Sequence, residues 1–303
     1  MPIKIPRGLP AYDTLTRENV FVMTSERAET QDIRPLKVAI ANLMPTTIDT
    51  EIQLLRLLGN TPIQIDISLI RMSSHESHNA PEGHLEKFYV TSQEVLDRRF
   101  DGIIVTGAPV ETLPFEEVDY WDELCSVFDW ADKNVYSSLH ICWGAQAGLY
   151  HRYGIPKRGL PKKLFGIFPA AINEDHIPLF RGFDDEFLAP QSRHTEIDRL
   201  KIAGHPDLTI RSATEEVGAF IVTAKDEREI YVTGHLEYDP FTLDREYKRD
   251  AARGEKISPP ANYYPNNCPV FPPVVRWRSH AHLFFRNWIG EVYQGTPFNL
   301  DEL

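Results

Sequence analysis

The feature that most constrains this chain is a repeating order of short apolar runs and amphipathic segments. Residues 36–44 form an apolar run stopped by Pro45, and a strand that is apolar along its length hides both faces, as in a parallel sheet. Beyond it, Ile48, Ile52, Leu55 and Leu58 fall at helical spacing, Asp49 and Glu51 stand near the start, and Gly59-Asn60 supplies a stop. Residues 63–69 then alternate strictly, the pattern of a half-exposed strand. The order recurs: residues 102–107 predict a buried strand, Val118, Trp121, Cys125 and Phe128 line one helical face, and residues 135–141 predict another strand. Small residues from Gly144 to Gly148 let a helix start close against the sheet. Strands alternating with helices predict an α/β chain with an open, mostly parallel, doubly wound sheet and helices on both faces. Residues 219–224 and 230–233 read as a hairpin, residues 275–288 as a final helix, and the proline-bearing stretches 156–161 and 259–273 as connecting loops.

Composition removes several classes of function. At 42% apolar and 25% charged, the 303 residues have a globular balance, and the formal charge of −12 disfavours nucleic acid. There is no run of the ~18 apolar residues a membrane span needs, and the opening Met1-Pro2-Ile3-Lys4-Ile5-Pro6 lacks the apolar stretch of a signal peptide. The cytoplasm is the expected location. Cys125, Cys142 and Cys268 are too few and too scattered for a disulfide framework, and Cys125, on an apolar helical face, is expected in the core.

Cys142 differs, because His140-Ile141-Cys142-Trp143-Gly144 places it between a buried strand and a helix start. A nucleophile on such a turn is pushed out over the sheet edge, where backbone N–H groups face a developing oxyanion and the helix N-terminus favours a thiolate. Its base is expected from Thr233-Gly234-His235-Leu236-Glu237. In extended chain His235 and Glu237 point the same way, so Glu237 accepts from the far imidazole nitrogen and fixes the tautomer. Cys142, His235 and Glu237 form a candidate triad. His75, His78 and His84 lie in a polar stretch without the spacing of a metal site, so no metal is expected. His280 and His282 read as packing or hydrogen-bonding residues. Phosphate-loop and dinucleotide signatures are absent, which removes the main support for a kinase or a dehydrogenase.

Cys-x-Gly-x-Gln after a strand with a late His-x-Glu resembles the class I glutamine amidotransferases, which implies a flavodoxin-like sheet. Further motifs narrow the resemblance. These are Val20-Phe21-Val22-Met23, the run from Arg27 to Arg34, Asn42-Leu43-Met44-Pro45, Thr106-Gly107-Ala108-Pro109-Val110-Glu111, the run from Phe115 to Trp121, Ser192-Arg193-His194-Thr195-Glu196 and Trp277-Arg278-Ser279-His280-Ala281-His282. Over essentially the whole chain they resemble the homoserine O-acyltransferase family of methionine biosynthesis. The resemblance implies one acyltransferase domain over residues 1–303, with an N-terminal arm to 34, an α/β core to about 240 and a helical C-terminal extension. It implies Cys142 as acyl-thioester nucleophile, His235 as base, Glu237 as its partner, and Lys163, Ser192 and Arg249 at substrate-binding positions. Read without it, Lys163 and Arg249 pass as solvated charges, Arg249 pairing with Glu246.

Backbone N–H groups of Thr47 and Trp143 are the expected oxyanion donors, although relatives commonly carry Lys where Thr47 stands. Glu111 occupies a position that looks like a donor selector, where Gly leaves room for a succinyl chain and Glu fills it. The expected chemistry is acetyl transfer from acetyl-CoA to the γ-hydroxyl of L-homoserine, with no cofactor and with a homodimer as the assembly. Succinyl-CoA as donor, serine as acceptor, a glutaminase-type hydrolase and a silent binding protein are the alternatives.

Overall fold

A computed structural model of the chain describes residues 3–6, 8–17, 22–24, 34–74, 83–173 and 177–303. Parts of the motifs at 20–23 and 27–34, and both His75 and His78, lie outside them. The strands are β1 (Ile3–Ile5), β2 (Val22–Thr24), β3 (Leu36–Ala41), β4 (Ile65–Arg71), β5 (Tyr89–Thr91), β6 (Phe100–Val105), β7 (Val135–Ile141), β8 (Lys157–Ile172), β9 (Glu186–Ile197), β10 (Leu208–Thr214), β11 (Gly218–Ala224) and β12 (Glu229–Val232). The α-helices are α1 (Pro10–Arg17), α2 (Thr47–Leu58), α3 (His84–Phe88), α4 (Trp121–Asn134), α5 (Trp143–Tyr153), α6 (Arg199–Ala203), α7 (Thr242–Ala252) and α8 (Arg278–Gly295).

All the strands join one sheet in the order β2-β1-β4-β3-β6-β7-β12-β11-β10-β8-β9, with β5 on β4. The half from β2 to β12 is parallel, and the half beyond β12 is antiparallel. The mostly parallel, doubly wound sheet is as expected. Alternation along the strands sends Val38, Ile40 and Ile104 into a core shared with α2 and α8, and Ala39, Ala41, Ile103 and Val105 into one shared with α4. Within residues 1–34, β1 and β2 extend the sheet edge while Leu9, Ala11 and Leu15 are buried.

Four local expectations shift. The strand expected at 63–69 starts at Ile65, and the final helix runs Arg278–Gly295, leaving buried Trp277 as its N-cap residue. The loop expected at 156–161 is the start of β8, whose register against β9 breaks between Gly159 and Leu164. Pro161 lies in that break, where its missing N–H costs no ladder bond. The apolar face of α2 is wider than expected and buries Glu51, which the sequence suggested as a favourable helix-start acid. Glu51 accepts from the Tyr89 hydroxyl at 2.8 Å and lies 2.8 Å from His84 Nε2, while Tyr89 takes a bond from Asn42. Burial raises the Glu51 carboxyl pKa against those partners.

Residues 259–273 form a loop as expected, docked on β8 through Ala261, whose N–H donates to Phe165 O at 2.9 Å while its carbonyl accepts from Ile167 N at 2.8 Å. The docking needs Gly166, since a Cβ there would sit 2.3 Å from Ala261 O. Among the described residues no helix is long and apolar enough to cross a membrane.

The fully buried Asp101 ties the segment before β3 to β6. It accepts from Arg34 Nη1 at 3.1 Å, Arg34 Nη2 at 2.8 Å and Lys37 N at 2.6 Å. Asp101→Ala leaves those donors unpaired and is expected to cost about 2–4 kcal/mol of unfolding free energy, read as a lower urea midpoint with unchanged slope. A midpoint within experimental error of the parent would refute this.

Candidate active site

β3, β6, β7 and β12 run in register, with Ala41 beside Val105, Val105 beside His140 and Ile141 beside Val232, so their carboxyl ends share one edge. That edge is where an open α/β sheet presents its ligand crevice. Cys142 follows β7 there with φ 52° and ψ −115°, a positive φ that costs a non-glycine residue on the order of 1–3 kcal/mol. The turn is pinned from both sides. Cys142 N donates to Val232 O at 2.7 Å, and Cys142 O accepts from Ala145 N and Gln146 N at 3.1 Å each.

Two glycines allow it. A Cβ on Gly144 would lie 2.5 Å from Thr106 O, and one on Gly107 would lie 3.2 Å from Cys142 Cβ and 3.6 Å from His235 Cε1. The segment after β6 thus passes beside Cys142 and His235 with no side chain in the way.

Cys142, His235 and Glu237 are all nearly buried. His235 is set by its N–H bond to Pro190 O at 3.0 Å, and its Nδ1 stands 2.6 Å from Glu237 Oε1. Tyr238 stacks on the imidazole with centroids 3.9 Å apart, fixing the ring plane. Burial opposes charge on His235, but the Cys142 thiolate and the Glu237 carboxylate together hold its pKa well above the ordinary range. Cys125 is only partly buried, against the expectation of a core residue, because it sits at the rim of the α4 face. Burial, with Asp122, Asp129 and Glu116 nearby, pushes its thiol up to about 11, so it is a poor nucleophile.

The other expected residues converge beside the triad. Lys163 Nζ and Ser192 Oγ donate to Glu246 Oε1 at 2.6 and 2.7 Å, and Arg249 Nε donates to Asp250 Oδ1 at 2.7 Å. Lys163 is thus an ion-paired, largely covered group and not a solvated one, and Arg249 pairs with Asp250 instead of Glu246. Glu246 was missed because its meaning depends on partners from β8 and β9, although its place three residues before Arg249 on one helical face was visible.

A cavity of about 330 Å³ is lined by Met44 to Thr46, Gly107, Glu237, Tyr238, Glu246 and Arg249, among others. Thr47 and Trp143 open α2 and α5, in the first turn where N–H groups lack intrahelical acceptors. The Thr47 side chain turns back to Met44 O at 3.4 Å. Glu111 is clamped to β9: both its oxygens lie 2.9 Å from His194 N, and Thr195 Oγ1 is 3.1 Å from one of them. His280 pairs with Asp184 at 3.2 Å and His282 lies 3.4 Å from Asn60, in keeping with bonding roles.

An elbow cysteine with a carboxylate-oriented histidine thus stands at the strand ends of a doubly wound sheet of the glutamine amidotransferase-like fold. Solved structures agree on that fold: a glutamine amidotransferase from Thermotoga maritima superposes with a TM-score of 0.59 at 14% identity, covering 87% of this chain and all of that one. One from Methylobacillus flagellatus gives 0.52 at 14%, covering 86% and 95%. The sequence is more specific. Residues 2–298 match the family described as homoserine O-succinyltransferase, and the chain belongs to that family of acyltransferases. Similar curated relatives are homoserine O-acetyltransferases from Acetivibrio thermocellus, 57% identical with both chains fully covered, and Clostridium novyi, 57% identical over 98% of this chain and 99% of that one. A third, from Thermotoga petrophila, is 53% identical over the full length of both.

Gly144→Ala forces the start of α5 away from β6. It is expected to cost about 1–3 kcal/mol and to slow iodoacetamide labelling of Cys142 in the folded protein, followed by peptide mass spectrometry. Labelling at the parental rate would show that the turn tolerates a side chain there.

Proposed function

We propose that this chain transfers an acetyl group from acetyl-CoA to the γ-hydroxyl of L-homoserine through a thioester on Cys142. The observation that carries the reading is the buried Cys142–His235–Glu237 constellation beside a cavity that offers both a carboxylate, Glu246, and a guanidinium, Arg249. That pair complements the ammonium and carboxylate of an amino acid.

In the first half-reaction the Cys142 thiolate attacks the acetyl carbonyl carbon. The bond to the CoA sulfur breaks, and the departing sulfur takes the His235 proton. First-turn N–H groups at Thr47 and Trp143 are the donors for the intermediate's oxygen. Acylation also removes the thiolate charge that helps hold the His235 pKa up, leaving burial opposed by Glu237 alone of the two. The imidazole then serves as base. It takes the proton from the homoserine hydroxyl, the alkoxide oxygen attacks the thioester, and the thiolate–imidazolium pair returns as the ester leaves.

Glu111 supports acetyl over succinyl as the donor group. Its carboxylate is fixed on β9, and Thr195, which it contacts, also lies 2.9 Å from Gln146 Oε1, one turn beyond the nucleophile. A second carboxylate on the acyl chain would meet a like charge held in place, which costs several kcal/mol. The family description names succinyl and the curated relatives name acetyl; Glu111 supports the latter here.

Incubated with acetyl-CoA alone, the protein is expected to gain one acetyl group on Cys142, detected by peptide mass spectrometry, and to release further CoA only with homoserine. Arg249→Ala keeps the acylation and loses the transfer, whereas His235→Asn slows both half-reactions by roughly 10²–10⁴-fold. CoA release without acceptor dependence, or an adduct that survives Cys142→Ala, would sink the reading. In competition between donors, Glu111→Gly should move the kcat/KM ratio toward succinyl-CoA, and an unmoved ratio would remove Glu111 from donor choice.

A further inference from the structure

Arg193 is among the most deeply buried side chains of the protein, at 1% exposure, in the middle of β9. Its hydrogen bonds go only to neutral oxygens: Gln191 Oε1 at 3.1 Å, Thr195 O at 2.9 Å and Val217 O at 2.5 Å. Among the described residues no carboxylate stands within ion-pair distance of it. A buried cation left without an opposing charge costs several kcal/mol, so its position calls for an anion.

Alternation along β9 turns Gln191, Arg193 and Thr195 inward together, while Ser192 points to Glu246. Both inward neighbours reach the triad. The Gln191 amide packs on Gly234, where a Cβ would approach it to 2.3 Å, and Gly234 directly precedes His235. Thr195 O lies 3.4 Å from Gln146 Nε2, and the Gln146 backbone N–H donates to Cys142 O. The guanidinium is therefore braced by the neighbours of both base and nucleophile.

Burial lowers the pKa of Arg193, and the opposing charges that offset this in part are Cys142, Glu196 and Glu111. The two carboxylates are engaged elsewhere, Glu196 with Arg158 at 3.0 Å and Glu111 with His194 N and Thr195. Cys142 shares its surroundings with His235 and Glu237 from the segment after β12, and Tyr238, stacked on the imidazole, feels Glu246 from α7, Cys142, Glu237 and Glu111 from the loop after β6 as neighbouring negative charges. Three of these are acids that disfavour a thiolate, and His235 carries charge only when protonated. Arg193 is a permanent cation without a carboxylate of its own, unlike Lys163 and Arg249, which are paired with Glu246 and Asp250.

We propose that Arg193 is the buried counter-charge of the Cys142 thiolate, a positioning residue that keeps the nucleophile ionised at neutral pH whatever the protonation state of His235. The proposal rests on Cys142 being the nucleophile of the proposed function, and its test needs neither donor nor acceptor.

The test is the pH dependence of Cys142 alkylation by iodoacetamide in the full chain, read by peptide mass spectrometry for the parent, Arg193→Met and Arg193→Lys. The parent is expected to titrate at least about one unit below the ordinary thiol value of ~8.5. Arg193→Met should raise that midpoint by a unit or more, slowing alkylation at pH 7 at least about tenfold while the limiting rate at high pH survives. Arg193→Lys, which keeps the charge, should hold the midpoint close to the parent even where it lowers Tm.

A folded Arg193→Met protein with the parental midpoint overturns the proposal, as does a lysine variant displaced as far as the methionine one. Should Arg193→Met not fold, His235→Asn decides: with Arg193 still in place its Cys142 midpoint should stay depressed and should hold between about 0.05 and 1 M salt, because buried charges are little screened, and an ordinary or salt-dependent midpoint in that variant overturns the proposal. An ordinary midpoint with acyl transfer intact defeats this inference alone. A depressed, Arg193-dependent midpoint without homoserine-dependent CoA release defeats the functional reading alone.

Discussion

The backbone of Cys142, held at positive φ between β7 and α5, is the constraint on which the rest of the site depends. The conformation is unfavourable for a residue with a side chain, and it persists because strand, helix and neighbouring strand over-determine it. Val232 takes its N–H, the first turn of α5 takes its carbonyl, and Gly107 and Gly144 clear the space on either side. Cys142 consequently sits at the strand ends, and Gly107 leaves the space beside it and His235 open. A one-residue slip of β12 against β7 would move His235 and break the Cys142–Val232 bond together, so the parallel register is itself part of the geometry of the candidate site.

Charge is distributed in the same spirit. The chain is acidic overall, yet several cations stand where chemistry is proposed: Lys163, largely covered, and the more exposed Arg249 around α7, the buried Arg193 within β9, and His235 on Glu237. The acids among them are held by donors. Lys163 and Ser192 hold Glu246, and backbone and hydroxyl groups of β9 hold Glu111. Such a site is preorganised, because its dipoles and charges are fixed by bonds to the scaffold before any ligand arrives.

The parallel half of the fold was legible because its strands are largely apolar and end on turn residues; β3, β6 and β7 could be read from short local runs. So could the triad, since a cysteine between strand and helix and a His-x-Glu are local patterns. β8 was not legible. Its prolines and its exposed first half carry loop chemistry, and only pairing with β9 makes it a strand. Glu51 was misread for a related reason, since an acid at a helix start looks solvated until α3 and β5 bring His84 and Tyr89 over it. Arg193 was quoted within a motif and given no role, because nothing in one dimension distinguishes a buried arginine from an exposed one. What escaped was in each case set by tertiary partners distant in sequence.

Those distances bear on how the protein acquires its reactivity. The contacts that complete the site join residues far apart along the chain: Cys142 to Val232, His235 to Pro190, and Lys163 to Glu246 across 83 positions. Contacts of this kind form late, after the loop-closure entropy between them has been overcome. A nascent or partly folded chain therefore carries Cys142 without its pinned turn or its neighbouring imidazole. Turn, imidazole and enclosure are acquired together, so no stage of folding presents the completed site to electrophiles that the cavity does not admit.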